Sequence, residues 1–274
     1  MAPEKSADCS MFGVDCAQSG AQSVTIMLKK MRTPARLVGL SNPANRPKVA
    51  NLDDIYDHIV ASIVDQRLPP GTKLNELMLC DIFNVGRRQI AQVLVRLNQD
   101  RLVDLHPNRG AFVAAPDVAE ARAIFEARRA IEIEIVRMAT LKMTREQLAA
   151  LKRNVEQEAI CRRTSRIRDA IRLSGEFHTL LGGFCGNPIL ARIIEQLVAR
   201  TSLVVSLYEN QNTMSCWHDD HGLFIRHLEA RAVAPAVALM RKHLLHIEES
   251  LNLDQAPPAP FDLRAIYAPS AGQN

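Results

Sequence analysis

Two groups of residues in this 274-residue chain have types and spacings that could do chemistry. The first is the pair Arg87–Arg88, at the head of the stretch NVGRRQIAQVLVRLNQDRLV that begins at Asn84. Ile90, Val93, Leu94 and Leu97 recur there at three- and four-residue steps, the mark of one buried helix face. Cations in the first turn of a helix are disfavoured by its dipole. An outside anion compensates: a phosphate, or a guanine edge gripped in bidentate fashion. The second group is the histidines, eight in all, of which six lie at or after His178. Imidazole is the commonest metal ligand among side chains. His218 with His221, and His243 with His246, stand one helical turn apart. Arg128, with Glu132 one turn on, can form an ion pair or meet an anionic ligand.

Three helices are predicted to position the arginines. LDDIYDHIVASIVDQRL repeats apolar residues at Ile55, Ile59, Ile63 and Val64 on a helical period. PPGTKL then makes a turn, because Pro fixes φ and Gly permits unusual φ. Asn75 is a suitable N-cap for a second helix, ELMLCDIFN, and the arginine-headed stretch is the third. Next, Leu102–Leu105 and Ala111–Val113 are short strand-like runs around the turn HPNRG. This is the outline of a helix-turn-helix followed by a wing, with Arg109 and Gly110 at its tip.

The rest of the chain divides by composition. Residues 1–48 are rich in Ser, Ala, Gly and Pro and carry Lys29, Lys30, Arg32, Arg36, Arg46 and Lys48 with no acidic residue from Ala17 on. They are expected to be a disordered basic arm, with contact to DNA phosphates as the sharper alternative. The winged domain is placed at 49–116 and an all-helical domain at 117–253. That domain has about six amphipathic segments, near 117–140, 144–163, 167–184, 188–211, 216–230 and 232–252. Short connections such as GNP at Gly186–Pro188 suggest an antiparallel bundle. Residues 254–274, Pro- and Ala-rich, are expected to be loose. The fold class is therefore mainly α, a winged helix-turn-helix followed by a helical bundle.

A formal net charge of +4 fits nucleic-acid binding without requiring it. The six cysteines form no CxxC pair, which favours a reduced, cytoplasmic setting over a disulfide framework. No apolar run is long enough to span a bilayer, and the first thirty residues do not read as a signal peptide.

Residues 53–115 resemble the winged-helix domain of the GntR family. LPPGTKL, the arginine at the recognition-helix start, the leucines at Leu94 and Leu97 and RGAFV fall in the family's order. Residues 117–252 are similar to the effector domain of the FadR subfamily, the FCD type, through IFEARRAIEIEIVRMAT, Phe177–His178, GNPIL, His221 and ALMRKH. The resemblance implies a ligand-responsive transcriptional regulator, more often a repressor, that binds double-stranded DNA as a homodimer on a palindromic operator. Arg87 would read guanine; Arg88, Gln89, Arg96, Arg109 and Gly110 would supply further base or phosphate contacts. It also implies a divalent metal, Zn²⁺ or Ni²⁺, held by His178, His221 and His243, and a small organic acid as effector. Ser174, Arg128 and Arg200 are candidates to meet that acid, and Tyr208 is a weaker one.

Three positions depart from the pattern. Gly86 replaces the usual Ser or Thr, Ala91 replaces a second arginine, and Ser174 replaces the Asp that would complete the metal site. Glu176 does not restore it, because two residues from His178 is about 200° around the helix. A metal-free pocket that holds a carboxylate through His and Arg, and histidines that merely fill a polar core, are the other readings of this region. A sequence-neutral DNA binder and a three-His hydrolase are the alternative functions. A hydrolase needs a general base near the metal-bound water, and the sequence spaces no carboxylate to provide one.

Overall fold

The computed structural model describes residues 51–209 and 220–254. The expected arm, the tail beyond Asp254 and His218 lie outside those residues. The described chain begins with α1 (Leu52–Val64), β1 (Lys73–Leu74), α2 (Glu76–Phe83), α3 (Arg87–Gln99), β2 (Val103–His106) and β3 (Gly110–Val113). Six longer elements follow: α4 (Val118–Lys142), α5 (Arg145–Arg163), α6 (Ile167–Phe184), α7 (Pro188–Tyr208), α8 (Asp220–Glu229) and α9 (Val233–Ser250). The protein is mainly helical, a winged helix-turn-helix joined to a helical domain.

Most helix starts are sealed by a side chain. The Asn51, Asn75 and Asp117 carboxamide or carboxylate oxygens accept from the backbone N–H three residues on, at 2.9, 3.1 and 2.8 Å. Thr144 and Gln147 cap each other's backbone N–H groups at the start of α5. Asn187 accepts from Ile189 and Leu190, with Pro188 opening α7.

The winged domain closes on the apolar faces read from sequence. Ile55, Ile59 and Ile63 of α1 pack with Ile90, Leu94 and Leu97 of α3. The sheet runs β1–β3–β2, all antiparallel. β2 and β3 form the expected wing, with His106 opposite Gly110 across a three-residue tip. Asn108 and Gly110 take φ of 61° and 94° there, the left-handed values such a tip requires. The sequence predicts only a turn over PPGTKL. The structure adds a short strand, because Lys73 and Leu74 pair with Phe112 and Ala111 and close the sheet edge.

Helix α7 belongs to both halves. Its Ala199 and Leu203 are buried in the winged-domain core. Gln196 Nε2 donates to Asp100 Oδ1 at 2.5 Å, just beyond the end of α3. Asp100 Oδ2 accepts from the Tyr56 hydroxyl at 2.6 Å. At the end of α7 the Tyr208 hydroxyl donates to the Pro116 carbonyl at 3.0 Å, fixing the chain between wing and bundle.

Inside the bundle, α6 and α7 approach closely through glycine. A Cβ on Gly182 would stand 2.4 Å from Ile194 Cγ2, and one on Gly175 would stand 3.1 Å from Val198 Cγ1. Ile is stiff at χ1 and cannot swing its Cγ2 aside cheaply. Gly182→Ala is therefore expected to destabilise the protein by about 1–3 kcal/mol, and Gly175→Ala by less. Urea-unfolding midpoints of the two variants check this; an unchanged or raised midpoint for Gly182→Ala would remove the argument.

Candidate functional site

Two assemblies collect the residues capable of chemistry. On the winged domain, Gly86 is an extended N-cap, and its N–H donates to Gln89 Oε1 at 3.1 Å. Arg87, Arg88 and Gln89 are exposed in the first turn of α3. The outer face continues through Ala91, Gln92 and Val95, the last 47 % exposed. Gln92 lies one turn beyond Arg88, on the same side; it was legible as the polar face of the period that buries Ile90 and Val93. Arg96 is engaged within the domain. Its Nη1 lies 2.5 Å from Asp53 Oδ1, and its guanidinium carbon sits 3.8 Å from the centre of the Tyr56 ring. Arg109 and Gly110 are exposed at the wing tip, with Arg109 5.8 Å from the Phe112 ring centre.

The second assembly is a buried histidine cluster. His178 comes from α6, His221 from α8 and His243 from α9, and all three are at most 6 % exposed. One nitrogen from each falls in a group spanning no more than 4.8 Å. The opposite ring nitrogens each face a carboxylate: His178 Nδ1 with Glu132 Oε2 at 2.5 Å, His221 Nδ1 with Glu158 Oε2 at 2.6 Å, and His243 Nδ1 with Asp220 Oδ2 at 3.1 Å. An Nδ1–H donated to a carboxylate leaves Nε2 as the lone-pair nitrogen. His221 Nε2 and His243 Nε2 then face each other at 3.3 Å, and His178 Nε2 is buried with no partner among the described residues. In that tautomer neither of these two nitrogens has a hydrogen to share with the other, and a third buried lone pair goes unsatisfied. A cation at the convergence point satisfies all of them. Carboxylates behind ligating imidazoles are the arrangement that fixes tautomer and ring orientation in metal sites.

The electrostatics agree. Burial holds His178 and His243 neutral, with pKa values lowered to about 4 and about 3, in spite of their carboxylate partners. Burial would raise Glu132, but the Arg128 guanidinium and His178 pull it well below the usual carboxylate range. Glu158 is likewise pulled down against burial by His221 and Arg162.

Beside the cluster is a cavity of about 40 Å³. His178, Arg128, Ser174, Thr201 and Ser202 line it, together with apolar residues that include Val64. Arg128 is 3 % exposed; its Nε donates to Glu132 Oε1 at 2.6 Å, while its Nη2 has no partner among the described residues. Of the predicted effector residues, Arg128 and Ser174 are thus brought to the cavity. Arg200 is not; its Nη2 pairs with Glu120 at 2.6 Å. Glu176 pairs with Arg172, away from the imidazoles. Sequence spacing did not reveal Glu132, Glu158 and Asp220 as partners of the histidines. Two of the three carboxylates come from other helices, and Asp220 sits beside one histidine in sequence but serves another.

Comparison with known proteins follows the same division. Residues 51–113 match the family described as bacterial regulatory proteins, gntR family, and residues 123–246 match the FCD domain. The HTH-type transcriptional repressor RspR of Escherichia coli is 27 % identical over 199 residues, 72 % of this chain and 87 % of that protein. The HTH-type transcriptional repressor GlaR of the same organism is 27 % identical over 207 residues, 70 % of this chain and 91 % of that protein. In three dimensions the fold is that of a GntR transcriptional regulator from Rhodococcus sp. RHA1 (TM-score 0.64, 18 % identity, 72 % of this chain and 95 % of that one). It is also that of E. coli McbR/YncC (TM-score 0.64, 16 % identity, 73 % and 95 %).

Two histidines with depressed pKa values make the fold acid-sensitive. The unfolded chain takes up protons near pH 6.5, whereas folded His178 and His243 resist until about pH 4 and 3. Their contribution is fully present above about pH 6.5 and is lost as pH falls below it, each unit of depression being about 1.4 kcal/mol. In chelator-treated protein the unfolding free energy should decline between pH 6.5 and 4, and His178→Gln should flatten that slope. A wild-type slope of zero over this interval, measured in urea titrations, would refute the assignment of neutral buried imidazoles.

Proposed function

The chain belongs to the GntR family of bacterial regulatory proteins, joining a gntR-family DNA-binding domain to an FCD domain, and we propose that it is an effector-controlled repressor. In this reading it binds a palindromic operator as a homodimer and releases or tightens its grip when a small organic acid enters the bundle. Relatives across most of its length are named as repressors.

On DNA, α3 presents Arg87 to a guanine edge, with Arg88 and Gln92 beside it and Arg109 following the backbone from the wing. Arg88 stands where Ala91 has left no second arginine, so the half-site departs from the family's usual one. Gln89 has its oxygen occupied by Gly86 and is left its amide N–H groups to offer. Arg96, held by Asp53 and Tyr56, serves first to fix α3 against α1 and reaches a phosphate only by leaving that seat. One module makes few base contacts; two-fold symmetry doubles them.

For the effector, one observation carries the reading. Arg128 Nη2 and His178 Nε2 are both buried, both without a partner among the described residues, and both belong to residues lining the same cavity. A buried guanidinium N–H left unbonded costs more than a neutral one, about 1–3 kcal/mol or beyond. A carboxylate satisfies it with a charge-assisted hydrogen bond. The Ser174 hydroxyl in the wall can donate to a remaining oxygen of a small hydroxy acid, while Thr201 and Ser202, whose hydroxyls already donate to the Leu197 and Ala199 carbonyls, can still accept from a hydroxyl on it. His178, His221 and His243 would hold a divalent metal such as Zn²⁺ or Ni²⁺, and that ion would supply positive charge to one oxygen of the acid. Glu132, Glu158 and Asp220 keep the three imidazoles turned inward. Each accepts from an Nδ1–H on the far side of its ring, so they act here as positioning groups.

Duplexes selected from a random pool by the wild-type protein test the DNA reading. Arg87→Ala should weaken binding to the selected duplex ~10–100-fold while leaving binding to unrelated DNA nearly unchanged. Equal affinity of both proteins for every duplex, falling steeply with salt, would instead indicate a sequence-neutral binder. The metal is tested by titrating Zn²⁺ against a chromophoric chelator. Glu158→Gln should lower Zn²⁺ affinity about 10–100-fold with the fold intact, and identical affinities would remove Glu158 from the site.

A further inference from the structure

We propose that the DNA-binding domain itself forms one wall of the effector cavity, and that Val64 is the residue through which occupancy is felt. Val64 closes α1, the first helix of the winged domain, yet it lines the cavity together with residues of α4, α6, α7 and α9. The proposal rests on the reading of this cavity as the effector site and adds how that site addresses the DNA domain.

Size forces the issue. A cavity of about 40 Å³ accommodates only a few waters. An organic acid of several heavy atoms fills that space and comes up against its walls, Val64 among them. Four of the walls are tied to one another. Helices α6 and α7 meet through Gly175 and Gly182, where even a methyl group crowds Val198 or Ile194. Helices α6 and α9 carry His178 and His243 of one cluster, and α4 is bound to it through Glu132.

The α1 wall takes no part in that buried network and is held to α7 by an apolar seam at Ala199 and Leu203. Asp65, just past Val64, is 3.7 Å from Arg172 of α6, and both side chains are a quarter or more exposed. A pair so exposed contributes little, about 0–1 kcal/mol. A further polar tie is the Gln196–Asp100 bond, between α7 and the winged domain. On α7 the two functions sit on adjoining faces, about 100° apart. Val198, Ser202 and Val205 face the cavity, while Ala199 and Leu203 are buried in the winged-domain core. An occupant pressing on Val64 therefore lifts α1 from α7, and α3 goes with it because α1 and α3 share one core.

A ligand-free experiment decides this. Ser202→Leu adds bulk to the cavity from the bundle side and acts as a built-in occupant. Hydrogen exchange at residues 60–66 should quicken about tenfold, and affinity for the selected duplex should shift with it. Val64→Ala in the same chain makes room and should return exchange to within about twofold of wild type. Thr201→Leu provides the same test from the adjacent position if Ser202→Leu does not fold. Unchanged exchange at 60–66 in the bulky variant, or quickened exchange that Val64→Ala fails to reverse, would overturn the proposal. Because no acid is added, failure of the small-acid reading shows separately, as the absence of any exchange change when acetate or citrate is titrated into wild type.

Discussion

A buried imidazole whose Nε2 has no partner gives up a hydrogen bond that water would have supplied, a loss of about 1–3 kcal/mol. Among the described residues it happens at His178, whose Nε2 converges on the facing Nε2 atoms of His221 and His243. The fold tolerates this because each ring is held from behind. Glu132, Glu158 and Asp220 take the Nδ1–H groups, and Arg128 and Arg162 keep two of those carboxylates ionised in a buried setting. Remove the carboxylates and the rings are free to turn their nitrogens toward other acceptors. Five of the six bundle helices donate a residue to this network, so much of the bundle's arrangement follows from satisfying it.

The remaining bundle helix, α7, does something different. It contributes no charged group to the cluster and instead spans the junction. Its small and branched residues, Ala199 and Leu203 on one side and Val198, Ser202 and Val205 on the other, let two cores approach the same backbone. Close packing transmits displacement, because interiors at crystal-like density do not absorb a shift. A helix packed against two cores is thus a lever as much as a strut, and Gln196 and Tyr208 fasten it to Asp100 and to the Pro116 carbonyl.

Much of this was legible in the sequence, for reasons that differ by element. The buried positions of α1 and α3 follow the 3.6-residue period, so the spacing assigns Ile55, Ile59, Ile90, Leu94 and Leu97 to a core. Asn75, Pro188 and Gly110 mark ends and turns by their own chemistry. Strand β1 was not legible: two residues carry no period, and Lys73–Leu74 becomes a strand only because β3 arrives beside it. The carboxylates behind the histidines were hidden for the same reason. Glu132 and His178 are 46 residues apart, and Glu158 and His221 are 63 apart; such pairs follow from tertiary packing, on which local spacing is silent. Arg200 is a further case: its partner, Glu120, is 80 residues away, where local spacing is equally silent.

Charge bears on the meaning of Ser174. Around the cluster, Glu132, Glu158 and Asp220 carry three negative charges, and Arg128 and Arg162 carry two positive ones. Those five groups alone leave the balance at one negative. A divalent cation would turn it into one positive, and a monocarboxylate arriving in the cavity would close it to zero. An aspartate at position 174 would shift each of these steps by one unit, so that the metal alone would neutralise the site and an incoming anion would meet no excess charge. A hydroxyl there keeps the polarity without the charge. In a buried setting, where uncompensated charge is costly, a serine there would make an incoming anion part of the balance in the proposed reading of the site.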